Sequence, residues 1–168
     1  MAIKDSILPE FDHEMATTRR VLERVPEDKK DWQPHPKSMT LGRLAQHVAT
    51  IPHWVIPTIN DTELHMNPPG GPAYTPPQFE STAAALAVFD ENVRQGRAAI
   101  AAAEDQDLMV PWTLRNAGQP IFTLPRVAVL RSFVTNHMIH HRGQLSVYLR
   151  LNDVPVPSIY GPSADEMS

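Results

Sequence analysis

Three of the eight histidines fall where helices would bring them onto one buried face. His137 and His141 are four residues apart, which places them about 40° apart around a helix that turns about 100° per residue. His47 interrupts an otherwise apolar stripe earlier in the chain. Burying three imidazoles costs free energy unless each finds a partner, and one shared cation would satisfy all three. The spacing therefore predicts one divalent metal ion on His47, His137 and His141.

The HxxxH pair does not by itself specify a metal, because two hydrogen-bonded core histidines give the same spacing. Position 138 is Met, so the pair lacks the glutamate base that follows the first histidine in an HExxH helix. The chain contains no cysteine, which excludes disulfides, thiol nucleophiles and the thiolate-rich sites that close around structural zinc. A site built on histidine tends to keep open positions for water or substrate.

The helix face that carries His137 holds further polar side chains. Gln144 and Tyr148 each project about 20° from His137 and could orient a ligand or a bound water. Their alternative role is helix packing with a hydrogen bond to the backbone. His140 lies at the edge of this face and is predicted to support the site or an interface, without coordinating the ion. Arg142 points away from His137 and is predicted to form a structural salt bridge. The remaining histidines are predicted not to be ligands: His13, His35, His53 and His65.

Four helical segments must position these residues. Apolar side chains spaced three and four apart predict helices over residues 4–25, from the N-cap Thr40 onward, over 81–103 and over 125–152. Pro52 should kink or end the second helix. The proline-rich stretch from Asn60 to Phe79 has no periodicity and is predicted to be a long crossover loop. The motifs VPWTL and PIFTL flank a polar turn and favour a short β-hairpin. The predicted fold is all-α, a four-helix bundle in a single domain over residues 1–168.

Net charge and the distribution of apolar residues exclude several classes of function. The formal net charge is −4 and no basic run is present, whereas a protein that binds nucleic acid normally needs a positive patch. No apolar stretch approaches the roughly 20 residues that cross a bilayer. The N-terminus turns acidic where a signal peptide would turn apolar, so a cytoplasmic location is expected. The partner expected from these features is a small-molecule substrate, with no nucleic acid and no membrane.

Three motifs resemble those of the DinB / YfiT-like superfamily: LGRLAQHVA, then NHMIHHRGQL about 90 residues later in a C-terminal helix, and the ending IYGPSADE. The resemblance covers nearly the whole chain. It implies a four-helix bundle, typically a homodimer, with a divalent metal on three histidines that correspond to His47, His137 and His141. Zinc and nickel are both known among relatives. The superfamily includes thiol-dependent S-transferases and a mycothiol-dependent isomerase.

Two enzyme activities are compatible with an ion on three neutral imidazoles. Such an ion can lower the pKa of a bound water for hydrolysis, or stabilise the thiolate of a low-molecular-weight thiol cofactor for transfer. No carboxylate lies between Pro125 and Asn152 or between Thr40 and Ile59, which counts against a protease-like hydrolase. The resemblance also favours the thiol. The alternatives are a non-catalytic stress-response protein whose metal ion is structural, and a bundle that binds an apolar ligand without metal.

Overall fold

The structure is a computed structural model and describes residues 2–166. Helices form most of it. The four longest are α1 (Ile3–Leu22), α2 (Leu41–Thr50), α4 (Thr82–Ala102) and α7 (His137–Leu151). The shorter helices are α3 (Val55–Asn60), α5 (Asp105–Leu108) and α6 (Arg126–Val129). Three strands, β1 (Glu63–His65), β2 (Pro111–Asn116) and β3 (Gln119–Pro125), form one small sheet. The helix-dominated part of the predicted fold is confirmed, and the purely α class is wrong.

The four longest helices pack around a common apolar core. Helix α1 contacts α4 and α7, and α2 contacts the same two helices. Each helix contributes at least one side chain that is 2% exposed or less: Phe11, Leu44, Phe89 and Leu145. Burying a side chain of this size contributes about 1.5–3 kcal/mol, so these stripes dominate the stability of the fold. None of the described helices is both long enough and apolar enough to cross a membrane.

Capping residues set the helix starts as the sequence predicts. The Thr40 hydroxyl accepts a hydrogen bond from the Arg43 backbone N–H at 3.3 Å, and the Ser81 hydroxyl accepts one from Ala84 at 3.0 Å. Such caps satisfy amide groups that have no partner inside the helix. Helix α1 ends at Leu22, three residues before the predicted end at Val25, in a turn that leads into Pro26.

Pro52 ends α2, as predicted. The helix stops at Thr50, a 3-10 turn covers Ile51–Trp54, and α3 then starts at Val55. Proline has no N–H to donate and its ring crowds the preceding turn, so it disfavours continuation of the α-helix at this point. The break places Trp54 beside the last turn of α2, with its ring centroid 6.2 Å from that of His47.

The predicted hairpin is present, and it belongs to a larger sheet than expected. Strands β2 and β3 are antiparallel and join through Ala117 and Gly118, which both have positive φ, as a two-residue hairpin turn requires. Strand β1 pairs parallel to β2. It lies inside the stretch Asn60 to Phe79, where the sequence predicts a loop. Three residues are too few to show a period, so only pairing with β2 defines this strand.

The last helical segment is not the continuous α-helix that the sequence predicts. After α6, residues Leu130–Asn136 form a π-helix, and α7 begins only at His137. A π-helix adds a residue to each turn and often occurs at functional sites. The irregular backbone therefore lies directly before the predicted ligand His137.

The C-terminal tail packs back onto the helices. Val156 is buried, and Arg150 of α7 pairs with Asp165. The Tyr160 hydroxyl donates to the Glu14 carboxylate at 2.9 Å and accepts a hydrogen bond from Arg142 at 2.6 Å. The tail is thereby joined to α1 and α7 at one buried polar cluster.

Candidate metal centre

The predicted ligands come together although they lie on different helices. The Nε2 atoms of His47 and His137 are 3.3 Å apart, and those of His137 and His141 are 2.8 Å apart. These three form the group of potential metal ligands found among the described residues, and no Asp or Glu joins them. Helix α2 supplies His47 from its last turn, while α7 supplies the other two from its first turn and a half.

The arrangement of nitrogens fits a divalent ion. Two histidine nitrogens about 2.05 Å from one tetrahedral ion lie about 3.3 Å apart, which is the separation of His47 and His137. The His137–His141 pair needs to open by about half an ångström to reach the same spacing. Three ring nitrogens pointing at one another leave lone pairs that cannot all be satisfied by the other two rings, and a shared cation would satisfy them together.

Burial keeps these imidazoles neutral. It lowers the pKa of His47 from 6.5 to about 4, and the neighbouring charges of His141, His137 and Arg43 act in the same direction. Burial likewise lowers the pKa of His137 to about 4. The pKa of His141 is also lowered, again mainly by burial. Neutral imidazole is the form that binds metals, so near pH 7 all three rings are ready to coordinate.

Gln144 contacts a predicted ligand directly. Its Oε1 lies 2.7 Å from Nδ1 of His141. With the proton on Nδ1, His141 donates this hydrogen bond and turns the lone pair of Nε2 toward the other two histidines. A hydrogen bond to the outer nitrogen is the usual way in which a protein fixes the tautomer and the ring orientation of a metal-binding histidine. The contact supports the predicted orienting role of Gln144.

Tyr148 and His140 lie near the centre without touching its nitrogens. The Tyr148 hydroxyl donates to the Met39 carbonyl at 3.3 Å, and its ring packs edge-on against Trp32, which corresponds to the packing role considered for it. His140 is exposed, with its ring centroid 4.9 Å from that of His141. Whether either residue supports a bound ion stays a prediction. Arg142 forms the predicted salt bridge, a buried one with Glu14 at 2.7 Å.

An aromatic wall closes the centre on the side of His137. Trp54 stacks on Phe133 with centroids 4.4 Å apart, and it lies 5.3 Å from the ring of His137. On this side Nδ1 of His137 is buried without a hydrogen-bond partner among residues 2–166. The Phe133 carbonyl of the π-helix approaches the ring and opposes the lowering of its pKa, but it stays outside hydrogen-bonding geometry. The wall leaves access to the centre from the side of His47.

A cavity of about 360 Å³ opens on that side and reaches His47. Helix α2 lines it with Arg43, Gln46 and Thr50, and the proline-rich segment covers it with Tyr74 and neighbouring prolines. A second cavity of about 340 Å³, mostly apolar, lies beyond Tyr74 and is lined by Trp54 and residues near β1. The centre therefore adjoins spaces large enough for a small molecule.

The sequence did not single out Arg43, Trp54 or Tyr74 as site residues. Arg43 could have been found, because it lies four residues before His47 and so projects within about 40° of it. Trp54 follows Pro52 in the turn Ile51–Trp54, and this break in the helix turns it toward the centre. Tyr74 lies in a segment without periodicity, so its position depends on tertiary contacts. None of the histidines predicted to be non-ligands belongs to the group formed by the three predicted ligands.

Comparison with known proteins gives matches over almost the full length. A sequence model described as DinB family matches residues 2–168. The protein YrdA of Bacillus subtilis (strain 168), described as uncharacterized, is 28% identical over 165 residues, which cover 96% of this chain and 90% of YrdA.

Two solved structures share the fold. A crystal structure of a DinB-like protein from Bacillus cereus ATCC 10987 has a TM-score of 0.72 and 24% identity, over 95% of this chain and 98% of that chain. The DinB-like protein YjoA from Bacillus subtilis has a TM-score of 0.67 and 17% identity, over 94% and 99% of the two chains. At these identities the likeness concerns the fold alone.

Proposed function

We propose, starting from the fact that this chain belongs to the DinB family, that it is a metal-dependent enzyme acting on a small molecule. One divalent ion would be held by His47, His137 and His141. The observation that carries the proposal is the meeting of three neutral histidine nitrogens, with no fourth Asp, Glu or His in the group they form among the described residues. Closed structural sites usually have four protein ligands, whereas catalytic sites keep a position open.

A divalent ion bound there would supply Lewis acidity, which lowers the pKa of a water or a thiol toward neutrality. The residues of the chain supply the surroundings. His47, His137 and His141 add no negative charge, so the positive charge of the ion stays available to the substrate. Gln144 orients His141, and Trp54 with Phe133 keeps solvent from the side of His137. The open cavity beside His47 is where substrate would enter.

We favour thiol activation over hydrolysis. A hydrolase of this type normally uses a nearby carboxylate as general base, and none lines the cavity that reaches His47. A thiol does not need a general base of this kind, because a metal ion alone can stabilise its thiolate. The proposal is therefore a thiol-dependent transfer reaction with a low-molecular-weight thiol as cofactor, and zinc or nickel as the ion.

The proposal also includes the bundle architecture, the cellular location and the oligomeric state. The ring of contacts between α1, α4, α2 and α7 supports the four-helix bundle of the predicted fold. A cytoplasmic location and a homodimer are proposed with it. The alternative is a non-catalytic, stress-related metal protein in which the ion is structural, and it makes a different prediction for metal removal.

The test begins with elemental analysis by mass spectrometry of protein purified without a histidine tag. About one zinc or nickel ion per chain is expected, and thiol-transfer and hydrolase substrate panels would then be run on that form. Chelation should abolish the activity while circular dichroism shows the helices retained. Loss of the helices on chelation would favour the structural ion. Less than about a tenth of an ion per chain after reconstitution at micromolar metal would refute the metal site itself.

A further inference from the structure

Arg43 differs from the other arginines in that its guanidinium has no partner among the residues that the structure describes. Among residues 2–166 its guanidinium has no hydrogen bond and no ion pair, whereas every other arginine has at least one. The backbone N–H of Arg43 donates to the Thr40 hydroxyl at 3.3 Å as part of the helix cap. The Arg43 side chain is exposed on α2, so its guanidinium is free to pair with a ligand.

The position of Arg43 points to what that partner is. It lies one helical turn before His47 on α2, and residues four apart on a helix are neighbours, about 6 Å from each other. The two residues line the same cavity of about 360 Å³. On its other side Arg43 lines a second cavity of about 370 Å³, together with Lys30, Asp31 and Phe79. Arg43 thus lies at the entrance to the metal centre.

Charge in the cavity that reaches His47 is unbalanced. Its lining contains no carboxylate, and the positive charge of Arg43 already acts on His47. The three neutral histidines would not offset the charge of a divalent ion. An ion and a guanidinium beside the same cavity repel each other, and solvent at the exposed Arg43 side chain screens part of this repulsion. A negatively charged group bridging the two would turn this repulsion into attraction.

We propose that Arg43 binds the carboxylate of a small thiol, or of a similarly short substrate, whose reactive atom meets the metal centre. This inference rests on the proposed function and adds the substrate class to it. Guanidinium matches a carboxylate in a two-point hydrogen-bonded geometry that an ammonium cannot reproduce. Because Arg43 and His47 are one helical turn apart and line the same cavity, a short molecule would reach both of them. Arg43 is thus a residue that determines specificity.

The test compares two thiols of nearly equal length, 3-mercaptopropionate and 3-mercaptopropanol, which differ in the negative charge. Cobalt-loaded protein is titrated with each, and binding is followed by visible absorption. The wild type should bind the carboxylate thiol about tenfold or more tightly than the alcohol. Arg43→Gln should bind both equally, and Arg43→Lys should keep part of the preference. Arg94→Gln removes an exposed arginine of α4 and should keep all of it.

A second titration uses acetate, which carries the charge and no thiol. Arg43→Gln should weaken acetate binding to the cobalt-loaded protein about fivefold or more, while cobalt itself binds at least as tightly because a repelling charge is gone. If neither thiol binds but acetate depends on Arg43, the carboxylate site stands and the thiol part of the proposed function fails. If Arg43→Gln keeps the full preference, or binds acetate unchanged, the inference is wrong. Failure of cobalt to bind the wild type would instead refute the proposed function.

Discussion

At the scale of single residues, the centre depends on which nitrogen of each histidine faces inward. His47, His137 and His141 present Nε2 to one another. The outer nitrogen of His141 is held by Gln144, while that of His137 is buried against the aromatic wall. His140 shares the helix and the residue type but remains exposed. Position on the helix face therefore distinguishes the predicted ligands His137 and His141 from His140.

This distinction predicts the metal content of single variants. His137→Ala and His141→Ala should each abolish stoichiometric binding, because two remaining imidazoles hold a divalent ion weakly. His140→Ala should bind about one ion per chain, like the wild type. Elemental analysis after reconstitution and gel filtration measures this directly. Equal loss in all three variants would contradict the ligand assignment.

The lowered pKa values predict how the metal-free protein responds to acid. His47 and His137 have a pKa of about 4 when folded and an ordinary value of 6.5 when unfolded. Between these values the unfolded chain binds more protons, so stability is fully present above about pH 6.5 and is lost as the pH falls toward about 4. The rings are partly exposed, and solvent screening moderates the loss.

Urea unfolding of metal-stripped protein between pH 7.5 and pH 4 measures this effect. Carboxylates titrate in the lower part of the range, so the double variant His47→Gln, His137→Gln serves as the reference. Its midpoint should fall less steeply with acid than that of the wild type. Parallel curves for the two proteins would show that these histidines do not titrate as described.

At the scale of elements, irregular backbone positions the centre. The 3-10 turn at Pro52 places Trp54 beside His47. The π-helix Leu130–Asn136 directly precedes His137, the first residue of α7. The tail fixes α7 from its other side, through the buried pair of Arg142 and Glu14 and the hydroxyl of Tyr160. Because Arg142 directly follows His141, this cluster also holds the helix that carries two of the predicted ligands.

Tyr160→Phe tests the contribution of the tail. The change removes one hydroxyl that bonds two buried charged groups, so the free energy of unfolding should fall by about 1–2 kcal/mol. Tyr74→Phe is the control, because no hydrogen bond of the Tyr74 hydroxyl is found among the described residues and its side chain is exposed. Urea denaturation of the two variants gives the comparison. An equal, small change in both would mean that the Tyr160 hydroxyl does not stabilise the tail.

At the scale of the whole molecule, exposed apolar side chains on α7 could form a contact surface. Val147 and Leu151 lie four residues apart on α7 and are 56% and 58% exposed. They project from the same side of the helix, and adjacent exposed apolar side chains often mark contacts between subunits. This surface is where the proposed homodimer would form.

Light scattering coupled to gel filtration tests the dimer. The wild type should elute with twice the mass of one chain, and Val147→Glu with Leu151→Glu should yield monomer, because buried charges at an interface are costly. Val88→Glu, on an exposed position of α4, is the control and should leave the mass unchanged. A monomeric wild type, or a dimer that tolerates both glutamates, would rule out this interface.

The sequence alone predicted where the four long helical segments lie and which three histidines meet. Apolar side chains at helical spacing, capping by Thr40 and Ser81, and the hairpin turn are local properties, so they can be read from neighbouring residues. The HxxxH pair is local in the same sense. His47 could be added because its stripe, like that of the pair, had to face the core.

Only the tertiary structure decided the rest. Strand β1 exists because β2 offers an edge for pairing, and the π-helix and the position of Trp54 depend on packing between distant segments. Arg43 lines the same cavity as His47, a position that the helix and the proline-rich segment define together. These features arise from contacts between residues far apart in sequence, which no local pattern records.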